Sequence, residues 1–371
     1  VKSFYRFTMV VFFAVAGLAH AGFSSLYVFG DGTSATTNFF LSANYYGGTR
    51  YSNGRCWVEV LAQRQGLGAT SLTSTNWSYS TNNRSFYGHF SFLLVTNVNN
   101  FVAPPNASNC LFIVWVANAD FVEDVGNLGG GIPGNLAAWT NSINQHLTNH
   151  FRALTNLYSK GMRTLIAPNA VDLTKVPQYN SYTPSGRAFI RQRIIEFNNA
   201  YSNRLTQIKA TSPGLTIYTP DVFALLDEVE ANAGQYGLTN ALDNTTNITS
   251  ALQNFALSPW AINGPGTNYI WWGPIAPSAR FHAVIADTVQ QLLSPVDLVG
   301  ITPVNTSNQL QLVNAPVGMN GQVLFSTNLA AATWLTNSTF STLTVTQSVF
   351  VNPTNSQRFY RLKFPWQWTW P

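Results

Sequence analysis

Hydrolysis by a side-chain nucleophile needs a Ser, Thr or Cys with a base in hydrogen-bond reach, and this chain has few bases. Among 371 residues there are five histidines, and one, His20, sits in the leader-like stretch at the N-terminus. The others are His89, His146, His150 and His282. Two of them, His146 and His150, stand at i and i+4, a helical spacing that can hold a metal. No third ligand accompanies them, so they read as part of a solvated helix face. His282 lies inside a helical pattern and is expected to pack or cap there, while His89 falls in a loop with no identifiable partner. The apolar run Leu26-Tyr27-Val28-Phe29 leads into Gly30-Asp31-Gly32-Thr33-Ser34, a glycine-punctuated turn carrying a hydroxyl and a carboxylate. Asp31, near a helix start, and Asp120, near a strand end, are expected to accept backbone N–H bonds as structural carboxylates. No metal and no cofactor are expected.

These residues need elements to place them. Short apolar strands at Ser25 to Phe29, Leu111 to Val116, Thr164 to Ala167 and Thr216 to Thr219 alternate with helical patterns at Arg55 to Gln65, Asn135 to Gly161, Ser185 to Ala210 and Ser278 to Leu293. Strands separated by helices of this length imply βαβ units and a parallel sheet covered on both faces, an α/β domain of three layers. Ligands of such sheets bind at the carboxyl ends of the strands. After Pro295 the helical period vanishes, and strand-like runs appear at Gln309 to Val313, Gly321 to Ser326, Thr342 to Val351 and Arg358 to Phe364. A small all-β domain resembling a sandwich is expected over 300–364, after an α/β domain over 22–295. The last seven residues, Pro365-Trp366-Gln367-Trp368-Thr369-Trp370-Pro371, put three indoles on one side of an extended segment. They could pack on the core, stack on sugars or dock on another surface.

Composition narrows the function classes. Charged residues are 9%, against about 25% in an average soluble domain, and the formal net charge of +5 reflects scarce carboxylates rather than clustered bases. No basic stripe supports nucleic-acid binding. The first 21 residues combine Lys2 and Arg6, an apolar run from Phe7 to Leu18 and Ala19-His20-Ala21, the pattern of a cleaved export signal. Export to the cell surface or beyond is therefore expected, with no membrane span after cleavage. Cys56 and Cys110 could then oxidise, but Cys56 opens a helix and Cys110 opens a buried strand. Those positions lie at opposite edges of an α/β sheet, too far apart to bridge.

Six ordered segments resemble the blocks of the GDSL family of secreted lipases and esterases, also called SGNH hydrolases. The first two are Phe29-Gly30-Asp31-Gly32-Thr33-Ser34 and Tyr45-Tyr46-Gly47-Gly48-Thr49-Arg50-Tyr51-Ser52-Asn53-Gly54-Arg55 with its following helix. The third is Trp115-Val116-Ala117-Asn118-Ala119-Asp120-Phe121, and Ala167-Pro168-Asn169-Ala170-Val171-Asp172 resembles the family's loop after the next strand. Pro213-Gly214-Leu215 to Asp221-Val222 with Tyr236-Gly237-Leu238 resembles a late strand and the segment after it. Tyr269-Ile270-Trp271-Trp272-Gly273-Pro274-Ile275-Ala276-Pro277-Ser278, leading to His282, is similar to the last block without a gap.

The resemblance implies a Ser nucleophile, an Asp and a His, with an oxyanion hole from the Ser N–H, a glycine and an asparagine. At the Ser, Asp and His positions this chain has Gly32, Gly273 and Ala276, and at the asparagine position Ala119, with Asn118 one place early. Only Gly54 stands where the oxyanion glycine is wanted. Ser34 and His282 are the nearest substitutes for nucleophile and base, and both have structural readings. Loss of triad members removes several powers of ten in rate, so the resemblance implies a scaffold without its chemistry. Such a chain would serve as an extracellular binding or surface-assembly protein, with itself or an extracellular polymer as partner and no nucleic acid. The competing reading is an active secreted esterase with relocated catalytic residues. Leu324-Phe325-Ser326-Thr327-Asn328-Leu329 with Thr333-Trp334, and Gln357-Arg358-Phe359-Tyr360-Arg361-Leu362, resemble a C-terminal β module of secreted bacterial proteins, notably of Verrucomicrobia.

Overall fold

A computed structural model describes residues 22–36, 46–67, 82–129, 135–238, 268–329, 333–352 and 358–365. The export-signal segment 1–21 and Trp366, Trp368 and Trp370 lie outside the described residues.

The first part of the chain is α/β. Strands β1 (Leu26–Gly30), β2 (Leu111–Trp115), β3 (Thr164–Ile166) and β4 (Thr216–Tyr218) form one parallel sheet in that order. β2 is buried along its whole length, as expected of a strand covered on both faces. The free side of β1 is occupied by residues 82–86, in register through Val28 N–H to Asn82 O, Arg84 N–H to Val28 O and Phe86 N–H to Gly30 O. From β1 the chain therefore goes first to one side and then, through β2, to the other. That reversal makes β1 a topological switch point, where α/β sheets open a crevice beyond the strand ends.

The helices are α1 (Trp57–Arg64), α2 (Ser91–Asn99), α3 (Ala117–Asn127), α4 (Leu136–Ser159), α5 (Pro184–Thr211), α6 (Val222–Ala231) and α7 (Ala279–Leu293). α1 packs on α7, whereas α4 packs on α2, α3 and α5, so two helical layers enclose the sheet. Two of these helices go beyond the sequence expectation near the site. Asn118 sits in the first turn of α3, directly after β2, and Ser91 opens α2.

After α7 the architecture changes to antiparallel strands: β5 (Asp297–Val304), β6 (Ser307–Val313), β7 (Asn320–Ser326), β8 (Leu335–Ser341), β9 (Gln347–Val351) and β10 (Phe359–Lys363). They form two three-stranded sheets, β5-β6-β9 and β10-β7-β8. Leu310, Leu312, Val323, Val349 and Val351 form the core between them. Two expectations need correction here. β5 begins at Asp297, inside the stretch read as a boundary, and of the strand expected over 342–351 only Gln347–Val351, β9, is strand, with Thr342 in the turn that follows β8. Thr342 is held there because its hydroxyl bonds the carbonyls of Pro316 and Met319.

The module is seated on α1 and α7. Val317 N–H donates to Arg64 O, Arg64 pairs with buried Asp287, and Gln65 bonds Gln290. Gly318 has φ 81° and lies so close to Gln63 that a Cβ would overlap it, which only glycine accommodates.

Candidate functional site

The crevice at the switch point is a cavity of about 200 Å³. Its floor comes from the ends of β1 and β2, through Asp31, Gly32, Thr33 and Trp115. Asn118, Ala119, Val122 and Glu123 of α3 form one wall, and Val171, Leu173 and Val176 beyond β3 another. Trp271, Ile275 and Pro277, with Phe281 and Ile285 of α7, close it. Tyr51 and Tyr87 stack on each other with centroids 5.2 Å apart.

The loop 46–55 that brings Tyr51 to the cavity is pinned from beneath. Glu59, fully buried, accepts from Arg50 Nη2 at 2.5 Å and from the Cys56 backbone N–H at 2.8 Å, so one carboxylate anchors the loop and caps α1. Arg55 reaches Glu59 O and Gln63 Oε1 at 2.8 Å each. This is why a short polar loop holds a fixed shape over an apolar cavity.

At the position where the resemblance wants a nucleophile, a Cβ on Gly32 would meet Tyr51 and Tyr87 at 3.4 Å each. The Cβ would abut the edges of both stacked phenol rings. Ser34, fully buried, points away from the cavity and accepts a hydrogen bond from Trp57 Nε1 at 3.0 Å. His282 is also fully buried; its Nδ1 accepts from Trp57 N–H at 3.3 Å, and burial pushes its pKa down to about 3. The two candidate substitutes thus hold opposite ends of Trp57 and do not bond each other. Gly273 and Ala276 lie in the loop that closes the cavity, where the Ala276 carbonyl accepts from the N–H groups of Trp272 and Gly273. It is their neighbours Trp271, Ile275 and Pro277 that line the space.

Gly54 has a packing role: a Cβ there would come within 2.5 Å of the Ala279 Cβ, at the start of α7. Its N–H is bonded to Ser52 Oγ rather than turned to the cavity. Asn118 does face the cavity, and its Oδ1 accepts from Val171 N–H at 3.0 Å, tying the end of β2 to the loop after β3. Asp31, only 3% exposed, uses Oδ1 to accept from Thr33 N–H at 2.9 Å, and Oδ2 has no hydrogen-bond partner. Burial raises its pKa; the nearby Thr33, Asn118 and Ala119 donors favour the charged form and oppose that rise without reaching hydrogen-bond geometry at Oδ2.

A second polar constellation lies away from the cavity, between α2, α3 and α4. His146 Nε2 is 2.9 Å from Asp124 Oδ2 and its Nδ1 is 3.2 Å from Ser91 Oγ. Asp120 accepts from Ser91 N–H at 2.8 Å and lies 3.4 Å from His146. The expectation of a solvated His146/His150 face is overturned. His150 is 2% exposed, its Nδ1 donates to His146 O, and burial lowers its pKa to about 4. Burial opposes charge on His146 too, but the bond to Asp124 and the charges of Asp120 and Asp124 outweigh it and raise its pKa. Burial lifts Asp120 to about 7. His89 has the partner that its sequence surroundings do not reveal: Nδ1 donates to Gly30 O at 2.9 Å.

Ser91, His146 and Asp124 are thus the residue types of a hydrolytic triad in hydrogen-bond contact. Ser91 is fully buried, however, and is not among the residues that line the cavity at the switch point. The pairs Asp120/Asp124 and Ser142/His146, each at i and i+4 on helices that pack together, were the overlooked signal; Ser142 Oγ donates to Asp124 at 2.6 Å. Among the described residues no group of three or more His, Cys, Asp or Glu could hold a metal. Both thiols are buried and unpaired, Cys56 on Ala35 O and Cys110 on Asn106 O. No helix of the described residues is long and apolar enough to cross a membrane.

The fold and the crevice define an α/β protein with an apolar, aromatic-walled cavity at the carboxyl end of a parallel sheet. No family model matches the chain, and no curated protein matches it. Among solved structures it is similar to a gut microbial diltiazem-metabolizing enzyme, at 10% identity and a TM-score of 0.38, over 82% of this chain and 58% of that one. The chain thus spans less than two thirds of that enzyme's length.

Proposed function

We propose that this chain is an exported binding protein built on a GDSL-like hydrolase scaffold, which takes a small ligand into the cavity without cleaving it. The observation that carries this reading is Gly32, enclosed by Tyr51 and Tyr87 at the head of a cavity whose described lining contains no histidine. A nucleophile needs a base in hydrogen-bond reach, and His282 is turned to Trp57 with a pKa near 3. The ordered blocks from Phe29 to His282 support the scaffold, and residues 1–21 support export. The test is hydrolysis of a fluorogenic short-chain ester by the full chain, read beside quenching of Trp115 and Trp271 in the cavity wall. Quenching without turnover is expected; turnover that survives purification would defeat the reading.

Self-association is the second part of the proposal. It is supported by exposed Leu343 and Phe350 on the β module and by the tryptophan-rich C-terminal sequence. Truncation after Phe364 followed by light scattering tests it. A smaller assembly is expected, and an unchanged mass would remove the tail from the contact.

A further inference from the structure

We propose that the cavity takes a hydrophobic organic cation, an aromatic or alkyl amine in its ammonium form, held among aromatic rings above the Asp31 carboxylate. This rests on the reading of the cavity as a binding site and adds the class of ligand.

Charge decides the class. The described residues that line the cavity include two carboxylates, Asp31 and Glu123, and no Lys, Arg or His. A carboxylate or phosphate head would meet like charge and, among the described residues, no counter-ion in a medium of low dielectric, where such interactions are strongest. A cation would meet the reverse.

Asp31 supplies the second, independent observation. Its carboxylate is buried, takes part in no ion pair among the described residues, and keeps Oδ2 without a hydrogen bond. A desolvated carboxylate in that state is costly unless a positive charge comes near, and burial accordingly raises its pKa. An ammonium in the cavity would return the missing charge. Glu123, exposed on α3, would draw cations toward the mouth.

The walls suit the same ligand. Tyr51, Tyr87, Trp115 and Trp271 present π systems, whose negative faces attract ammonium groups more strongly once water is excluded. The volume of about 200 Å³ exceeds the ~150 Å³ that accommodates a benzene ring, leaving room for a ring and a short aminoalkyl arm.

The groups around Asp31 leave its own proton as the variable one. Thr33 from its own turn and Asn118 and Ala119 from α3 contribute neutral donors. Tyr51 and Tyr87 are phenols, and His89, bonded to Gly30 O, has its pKa lowered to about 4 by burial and so is neutral above pH 5. Glu123 faces solvent.

The experiment is calorimetric titration of the full chain with 2-phenylethylamine, 2-phenylethanol and phenylacetate, which share a ring and differ in head charge. The amine is expected to bind about tenfold or more tighter than the alcohol, with phenylacetate weakest. Asp31→Asn keeps the acceptor for Thr33 N–H and is expected to erase the preference for amine over alcohol. On the unmodified chain, amine affinity should fall as pH is lowered through the Asp31 titration while alcohol affinity stays flat, a readout that stands even if the variant does not fold. Equal affinity for amine and alcohol, tightest binding of phenylacetate, an unchanged preference in Asp31→Asn, or no binding of any probe would overturn the assignment. Equal binding without ester turnover would leave the cavity a binding site for another class, whereas ester turnover would instead defeat the non-hydrolytic reading.

Discussion

The cavity above β1 and β2 and the Ser91–His146–Asp124 chain between α2, α3 and α4 divide between them what a hydrolase keeps in one place. The first has access, apolar walls and polar groups at a switch point, but no histidine in its described lining and a glycine, Gly32, at its head. The second has serine, imidazole and carboxylate in contact, but its serine is sealed among helices. Residue types in hydrogen-bond geometry therefore do not make a catalyst without a space for the reacting bond. The same division gives each region its own expected response to mutation.

The largest effect is expected where the cavity wall is anchored. Glu59→Ala leaves Arg50 buried without its partner and frees the Cys56 N–H, and removing one member of a buried pair costs about 3–5 kcal/mol. Chemical denaturation should show that loss, together with loss of cavity binding, because Tyr51 rides on the released loop. His146→Ala should cost less, about 1–3 kcal/mol for the hydrogen bonds lost at Asp124 and Ser91, and should leave cavity binding unchanged. If His146→Ala altered ligand affinity, the two regions would not be independent.

Protonation adds another contrast. His282 has a folded pKa near 3 against 6.5 unfolded, so its proton is taken up on unfolding; stability falls as pH drops from 6.5 toward 3. His282→Asn keeps an acceptor for Trp57 N–H and removes that titration. The stability difference between variant and parent should therefore shift by up to about 1.4 kcal/mol per pH unit in the variant's favour across that window, as denaturation at stepped pH would show.

The smallest effect is expected from Gly32→Ser alone. A Cβ there meets the tyrosines at ordinary contact distance, yet ester hydrolysis should stay at background because no histidine lines the cavity among the described residues. Gly32→Ser with Gly273→Asp and Ala276→His is the variant expected to gain turnover.

How much of this was legible in the sequence depends on the kind of signal each feature leaves. β1 and β2 were readable because strands buried along nearly their whole length are written as apolar runs, the short β3 and β4 because they fall between helical patterns, and α4, α5 and α7 because long helices repeat their pattern. The proposed reading of Gly32, Gly273 and Ala276 rests on ordered segments of sequence, each of which is short. α3 was obscured because it starts one residue after β2 ends, with no polar cap between them. The Ser91 network left only the i,i+4 pairs Asp120/Asp124 and Ser142/His146 as a local trace, since its own hydrogen bonds join residues 55 and 22 positions apart. Asp31 does accept a backbone N–H, as its place near a helix start suggests, but its idle Oδ2 depends on which donors the fold brings near, and only coordinates show that.

The central claim is that the accessible region binds and does not cut. A single-turnover measurement, with the full chain in excess over a fluorogenic short-chain ester, tests it most directly because even one slow acylation per molecule would register. Release of fluorophore at the buffer rate is the expected result, while Trp115 and Trp271 emission reports occupancy. A burst of release proportional to protein, abolished by Ser91→Ala or Ser34→Ala, would contradict it.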